Sequence, residues 1–235
     1  MTRVFCSALL FDMDGVLVDS TPAVARVWRA WAARHGFDPL QVVKHAHGRP
    51  SLVSIQELLP NASAEAHLAE DLQMQRAEIA DVADVVALPG AANLLAQLPS
   101  DCFAVVTSAV RELAEVRLRA AGLLSFVRNM VTASDIQRGK PDPEPYLKGA
   151  AALGISPAQC IVIEDAPSGV RSGKAAGCRV MAIRTTTNDS ELLAEGADWI
   201  VNDCASIRLV APASPGQLTL EFADDSGNLR IPQMS

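Results

Sequence analysis

The sequence predicts an α/β fold, a parallel sheet crossed by helices with an all-helical insert after the first strand. Three observations carry this. Four short apolar runs, VFCSALLF (4–11), CFAVVT (102–107), CIVI (160–163) and RVMAI (179–183), are continuous and do not alternate, as in strands buried on both faces. Between the later runs lie helical patterns that stop at glycine, so strand and helix alternate as in right-handed parallel crossovers. Residues 20 to about 83 hold helical patterns and no strand-like run.

Each element has its own signal. The run 4–11 ends abruptly in LLFDMDGVLVDS, where three acids, Asp12, Asp14 and Asp19, follow Phe11. STPAVARVWRAWAARHG opens with a capping residue and a proline, then places Val24, Val27, Trp28 and Trp31 at helical spacing. SIQELL and EAHLAEDLQMQRAEIADV continue the helical insert. RELAEVRLRAAG sets Leu113, Val116 and Ala120 on one stripe and stops at Gly122, while PYLKGAAALG and SGVRSGKAAG stop at Gly154 and Gly177. In the tail, PASPG reads as a turn, QLTLEF alternates like a strand and DDSGN is a second turn, which predicts an added hairpin or a loose end. The division expected is a core of 1–17 and 84–206, a cap of 18–83 and a tail of 207–235.

Composition narrows the class. Of 235 residues, 49% are hydrophobic and 20% charged, ordinary for a soluble globular protein of one or two domains. No apolar run approaches the ~20 residues of a membrane helix, and the N-terminus lacks the small-residue cleavage site of a signal peptide. Cys6, Cys102, Cys160, Cys178 and Cys204 are scattered, which suits free thiols in a reducing cytoplasm better than disulfides or a zinc site. A net charge of −7 argues against non-specific nucleic-acid binding, and any positive charge for an anionic substrate must be local.

In open parallel sheets the ligand crevice lies beyond the carboxyl ends of the strands. Asp12, Thr107 with Ser108, and Glu164 with Asp165 each follow directly after an apolar run, so the fold brings them to one side. Asp12, Asp14, Glu164 and Asp165 held close raise one another's pKa values, and a divalent cation relieves that; oxygen ligands with water suit magnesium. Each signal alone has an ordinary alternative. DMD reads equally as a solvated turn, Thr107 and Ser108 as helix caps, and Lys140 in RGKPDPEP as a loop lysine. The joint pattern, in this order, is what chance does not readily produce.

FDMDGVLVDS, VVTSA, GKPDPEPY and VIEDAPSGVRSGKAAG together resemble the four motifs of the haloacid dehalogenase-like hydrolase superfamily. The helical insert after the first motif resembles the cap of its beta-phosphoglucomutase-like subgroup, which also holds sugar-phosphate and glycerol-phosphate phosphatases. The resemblance implies a Rossmann-like core, a helical cap and magnesium-dependent phosphoryl transfer through an aspartyl phosphate. It makes Asp12 the nucleophile and Asp14 the general acid and base. It has Thr107 and the Ser108 N–H cradle the phosphoryl group and Lys140 pair with Asp12 and that group. It has magnesium held by Asp12, the Asp14 backbone carbonyl and Asp165, with Glu164 steadying the metal shell.

Three functions follow: a phosphatase of small sugar or polyol phosphates, a sugar phosphomutase, or a catalytically silent binding protein. Intact Asp12, Asp14, Lys140 and Asp165 oppose the last. Mutase members of the subgroup carry a histidine where this chain has Val24, which favours the hydrolase. HAHGRPS (45–51) resembles the His-Gly-then-arginine stretch of the subgroup's phosphatases, placing His47 and Arg49 over the substrate; the alternative is an exposed turn, and the family arginine more often falls where this chain has Pro50. The partner expected is a small phosphorylated metabolite, with no nucleic acid and no membrane, bound by a monomer or weak homodimer.

Overall fold

The computed structural model describes residues 1–46, 49–210 and 216–223. The first apolar run forms two strands, not one: β1 (Thr2–Cys6) and β2 (Ala8–Phe11). The break falls at Ser7, whose N–H donates to the Gln159 carbonyl at 2.8 Å. In β1, Val4 and Cys6 are buried while Phe5 faces out, so this strand has one solvated face; every residue of β2 is buried.

After β2 come the short β3 (Val18–Asp19) and four helices, α1 (Thr21–His35), α2 (Pro39–Ala46), α3 (Ser51–Leu58) and α4 (Ala64–Ala80). The chain returns through β4 (Val86–Ala87) and alternates α5 (Ala91–Gln97), β5 (Phe103–Val106), α6 (Arg111–Ala120), β6 (Met130–Val131), α7 (Glu144–Ala152), β7 (Cys160–Glu164), α8 (Pro167–Ala175), β8 (Arg179–Ile183), α9 (Asp189–Ala194) and β9 (Trp199–Val201). It closes with β10 (Arg208–Val210) and β11 (Leu218–Phe222).

Six strands form the central sheet in the order β6-β5-β2-β7-β8-β9, all parallel. The continuous apolar runs are divided residue by residue between its faces. Leu9, Phe11, Phe103, Val105, Ile161 and Ile163 pack toward α5, α6 and β11. Ala8, Leu10, Ala104, Val106 and Val162 pack toward Tyr146 on α7, Val170 on α8 and Leu192 on α9. The result is helix, sheet and helix in three layers, with β2 near the middle.

Helices α1–α4 hold their own core, with Trp28, Trp31, Val42, Ile55 and Met74 among its buried members. Burying each such side chain contributes ~1.5–3 kcal/mol, enough to keep four short helices together. Ser20 was expected to cap α1. Its hydroxyl instead donates to Asp14 Oδ1 at 2.6 Å, and Asp19 Oδ1 accepts from the Thr21 N–H at 3.0 Å. The two passages between helical layer and sheet run side by side as an antiparallel ribbon, β3 on β4, with Val18 opposite Ala87.

The tail strand β11 lies between β1 and β10 in a separate antiparallel sheet. Leu218, Leu220 and Phe222 join the main core, so the alternating pattern of QLTLEF packs on one face, while Thr219 and Glu221 are covered by neighbouring strands and arginines. The DDSGN turn lies outside the described residues. All five cysteines are free thiols. Among the described residues no helix is long and apolar enough to cross a membrane.

Candidate active site

The carboxyl ends of β2, β5 and β7 meet under the helical layer at a cavity of about 340 Å³. Asp12, Asp14, Thr107, Ser108, Lys140, Glu164, Asp165 and Arg49 all line it. His47 lies outside the described residues.

Asp12 follows β2 directly, and its N–H donates to the Ile163 carbonyl at 2.9 Å, which fixes the backbone where the sheet ends. Lys140 Nζ donates to Asp12 Oδ1 at 2.6 Å, to Glu164 Oε1 at 2.7 Å and to the Val106 carbonyl at 3.0 Å. All three ammonium protons are therefore used. Burial disfavours the charge on Lys140, but Asp12 and Glu164 outweigh it and hold the group above its ordinary pKa. Burial pushes the Asp12 carboxyl up to about 7; Lys140 pulls it down, and the charges of Glu164 and Asp14 add to the rise. Burial also raises Asp165 well above the usual carboxylate range, with Glu164 and Asp12 pushing the same way.

Glu164 has no spare valence. Its Oε1 accepts from Lys140 and from the Tyr146 hydroxyl at 2.7 Å, and its Oε2 accepts from the N–H groups of Asp165 and Ala166 at 3.0 and 3.1 Å. Both carboxylate oxygens are thus committed to holding Lys140 and the loop after β7. The backbone makes room for these acids. A Cβ at Gly169 would lie 1.7 Å from Glu164 Oε1. Gly15 has φ +79°, and a Cβ there would lie 2.0 Å from Asp165 Oδ2. The Thr186 hydroxyl donates to Asp165.

Asp14 lies apart from this cluster. Its carboxylate accepts from Ser20 and, at 3.1 Å on each oxygen, from Arg117 Nη1. Arg117, buried on α6, also donates through Nη2 to Glu78 on α4 at 3.2 Å. One core arginine thus joins the acid after β2 to the helical layer. Thr107 is buried, and its Oγ1 accepts from the Ala109 N–H at 3.1 Å, which leaves its proton free to donate into the cavity. Arg49 pairs with Glu57 at 2.6 Å and approaches His45 Nε2 at 3.2 Å.

Tyr146, Arg117, Ser20 and Thr186 were not among the expected site residues. Tyr146 and Arg117 sit inside helical patterns where their spacing reads as core or surface, and their partners are 18 and 103 residues away. Ser20 did carry a signal, since a hydroxyl six residues after Asp14 can reach back across the tight turn at Gly15.

Asp12, Glu164 and Asp165 each place one carboxylate oxygen within 4.8 Å of the others, and with Glu164 committed to its four donors the oxygens left for a cation are those of Asp12 and Asp165. Three carboxylates share one lysine, and burial, with the charges of the neighbouring acids adding to it, holds Asp12 and Asp165 above the usual carboxylate range. That donor set fits a hard divalent cation.

Residues 6–177 match the family model for haloacid dehalogenase-like hydrolases. Hexitol phosphatase A of Escherichia coli is 41% identical over 189 residues, covering 80% of this chain and 87% of that protein. Glycerol-1-phosphate phosphohydrolase 2 of Saccharomyces cerevisiae is 35% identical over 217 residues, 86% of this chain and 84% of that one. The crystal structure of a HAD family hydrolase from Deinococcus radiodurans, with bound phosphate and sodium, matches with a TM-score of 0.64 at 28% identity, covering 85% of this chain and 92% of that one. Sequence, sheet order and the acids at the strand ends agree: the chain belongs to the haloacid dehalogenase-like hydrolase family.

Proposed function

We propose that the protein is a magnesium-dependent phosphatase that hydrolyses a small sugar or polyol phosphate monoester through an aspartyl phosphate on Asp12. The observation that carries this reading is the Lys140 ammonium held at 2.6 Å from Asp12 and 2.7 Å from Glu164 beside a three-carboxylate cluster. The names of relatives that act on hexitol and glycerol phosphates support the substrate class.

Asp12 attacks phosphorus through a carboxylate oxygen, and the bond from phosphorus to the ester oxygen breaks. Asp14 gives its proton to the leaving alkoxide, then takes one from the water that opens the aspartyl phosphate, which releases phosphate and restores Asp12. Lys140 opposes the rise that burial imposes on Asp12 and orients its carboxylate. The Thr107 hydroxyl and the Ser108 N–H bind phosphoryl oxygens. Asp12, Asp165 and the Asp14 backbone carbonyl would hold magnesium, with Glu164 behind them, and the ion neutralises phosphoryl charge when bound. Residues 18–83 act as a cap over a core of 1–17 and 84–206, and closure excludes bulk water. His47 and Arg49 reach the substrate from the cap; Arg49 must then exchange or share Glu57. Free thiols support a cytoplasmic location and a net charge of −7 supports action on a free metabolite and not on nucleic acid.

Val24 lines the cavity where a mutase would need a proton-carrying side chain. The test is phosphate release from a panel of hexitol, glycerol and sugar phosphates with and without magnesium. Release that needs the ion supports the reading. Isomerisation without release, or full activity in EDTA, refutes it.

A further inference from the structure

One buried arginine contacts both the acid–base Asp14 and the helical layer. Arg117 lies on α6 and is 4% exposed. Its Nη1 donates to Asp14 Oδ1 and to Asp14 Oδ2 at 3.1 Å each, and its Nη2 donates to Glu78 Oε2 on α4 at 3.2 Å. The planar guanidinium can serve two acids at once because its donors are fixed in a fork.

These contacts set the Asp14 carboxylate in a particular way. Nη1 lies equally far from both oxygens, so turning the carboxylate about its terminal bond would lengthen one contact. Arg117 thus fixes the plane of the group as well as its place. The two oxygens then differ in what remains to them. Oδ1 also accepts from the Ser20 hydroxyl at 2.6 Å, which fills its two lone pairs. Among the described residues Oδ2 accepts from Arg117 alone, so one of its lone pairs is left to carry a proton. An arginine that only tied α6 to α4 would be satisfied by Glu78. The bonds to Asp14 are additional, and they fall on the acid with the reacting role.

We propose that Arg117 is a positioning residue for the acid–base, holding Asp14 so that Oδ2 carries the proton, while Glu78 anchors Arg117 from the helical layer. This rests on the phosphatase reading and deepens it. In the first step a bond forms from Asp12 to phosphorus, the bond from phosphorus to the ester oxygen breaks, and the Oδ2 proton passes to the leaving alkoxide, which departs as the alcohol. The charge that Asp14 acquires as it gives up the proton lies against Arg117.

The test uses the leaving group. The alkoxide from glycerol 1-phosphate needs the proton, whereas p-nitrophenolate is stable without it. kcat/KM for each ester covers the steps up to departure of the alcohol or phenolate, before water opens the aspartyl phosphate. It is measured on the magnesium-loaded wild type, Arg117→Met, Arg117→Lys and Glu78→Ala. The ratio of the two esters within one protein removes differences in folded fraction. Arg117→Met should lower kcat/KM for glycerol 1-phosphate at least about tenfold more than for p-nitrophenyl phosphate, a part of the roughly 100- to 10,000-fold that general acid catalysis supplies. Arg117→Lys keeps the charge and should recover part of that gap, and Glu78→Ala should open a smaller gap in the same direction. Arg117→Met added to Asp14→Asn should widen the gap no further, because a positioning residue acts only through the group it positions. Equal losses on the two esters in both Arg117→Met and Glu78→Ala overturn the proposal; should Arg117→Met not fold, equal losses in Glu78→Ala do so alone. A full further gap in the Asp14→Asn background overturns it too. No release from either ester by the wild type overturns the phosphatase reading and this proposal with it.

Discussion

Replacing Lys140 with methionine keeps the length of the side chain and removes its charge. In the native site the ammonium lies 2.6 Å from Asp12 Oδ1 and 2.7 Å from Glu164 Oε1, and 5.0 Å from the centre of the Tyr146 ring. At an effective dielectric of about 20, each ion pair is worth about 6 kcal/mol of Coulomb attraction, most of it offset by the desolvation of buried charges. What the substitution costs is the charge left behind, and removing one partner of a buried pair typically costs about 3–5 kcal/mol. For a chain of this length, that corresponds to a fall in Tm of roughly 6–20 °C. The loss should be largest in EDTA and smaller with magnesium, because the ion can replace part of the missing positive charge near Asp12. Without Lys140 the Asp12 carboxyl also moves above its value of about 7, so the nucleophile is mostly protonated at neutral pH. Turnover should therefore fall by at least about 100-fold, the lower end for loss of a charged group that sets a catalytic proton. The assays are a thermal melt with and without magnesium and phosphate release across pH. A Tm within about 2 °C of wild type in EDTA, the span of less than 1 kcal/mol, would refute the assignment of Lys140 as the clamp on both acids.

Three other outcomes follow from the same geometry. Asp14→Asn keeps the backbone carbonyl and the bond from Ser20, so it should still bind magnesium by calorimetry while turning over about 100- to 10,000-fold more slowly; near-wild-type rates would remove Asp14 from the proton transfers. Burial holds Asp12 at about 7 and Asp165 well above the usual carboxylate range in the metal-free protein, and an ion must displace the protons these groups carry, so the magnesium Kd should fall as pH rises toward and through 7. Titration calorimetry at several pH values reads this, and a flat profile would separate Asp12 from the metal. Gly169→Ala puts a methyl where Glu164 Oε1 now lies, so Glu164 must swing away from Lys140 and Tyr146. A Tm drop worth about 1–3 kcal/mol should follow, as for a buried hydrogen-bonded network left incomplete.

Several features of this molecule are local in origin, and the sequence alone determined them. Strands β2, β5, β7 and β8 could be read because residues buried on both faces leave an unbroken apolar run. The acids after β2 and β7 could be placed at one end because parallel strands share a direction. Asp12, Thr107 and Asp165 were recognisable because each sits at the end of such a run, whereas Lys140, in a loop, was legible only through the resemblance of GKPDPEPY to a family motif. The tertiary structure alone decided where the first run breaks, since β1 peels off at Ser7 to meet β11 from the far end of the chain. It decided that Ser20 binds Asp14 and not the first turn of α1, that Tyr146 and Lys140 meet on Glu164, and that Arg49 is paired with Glu57. It also decided that Arg117, Asp14 and Glu78 form one bridge between sheet and cap. The physical reason is range. Periodicity and chain direction are carried by neighbouring residues, whereas the partner of a buried charge is whichever group the folded chain brings within about 3 Å of it, however distant in sequence.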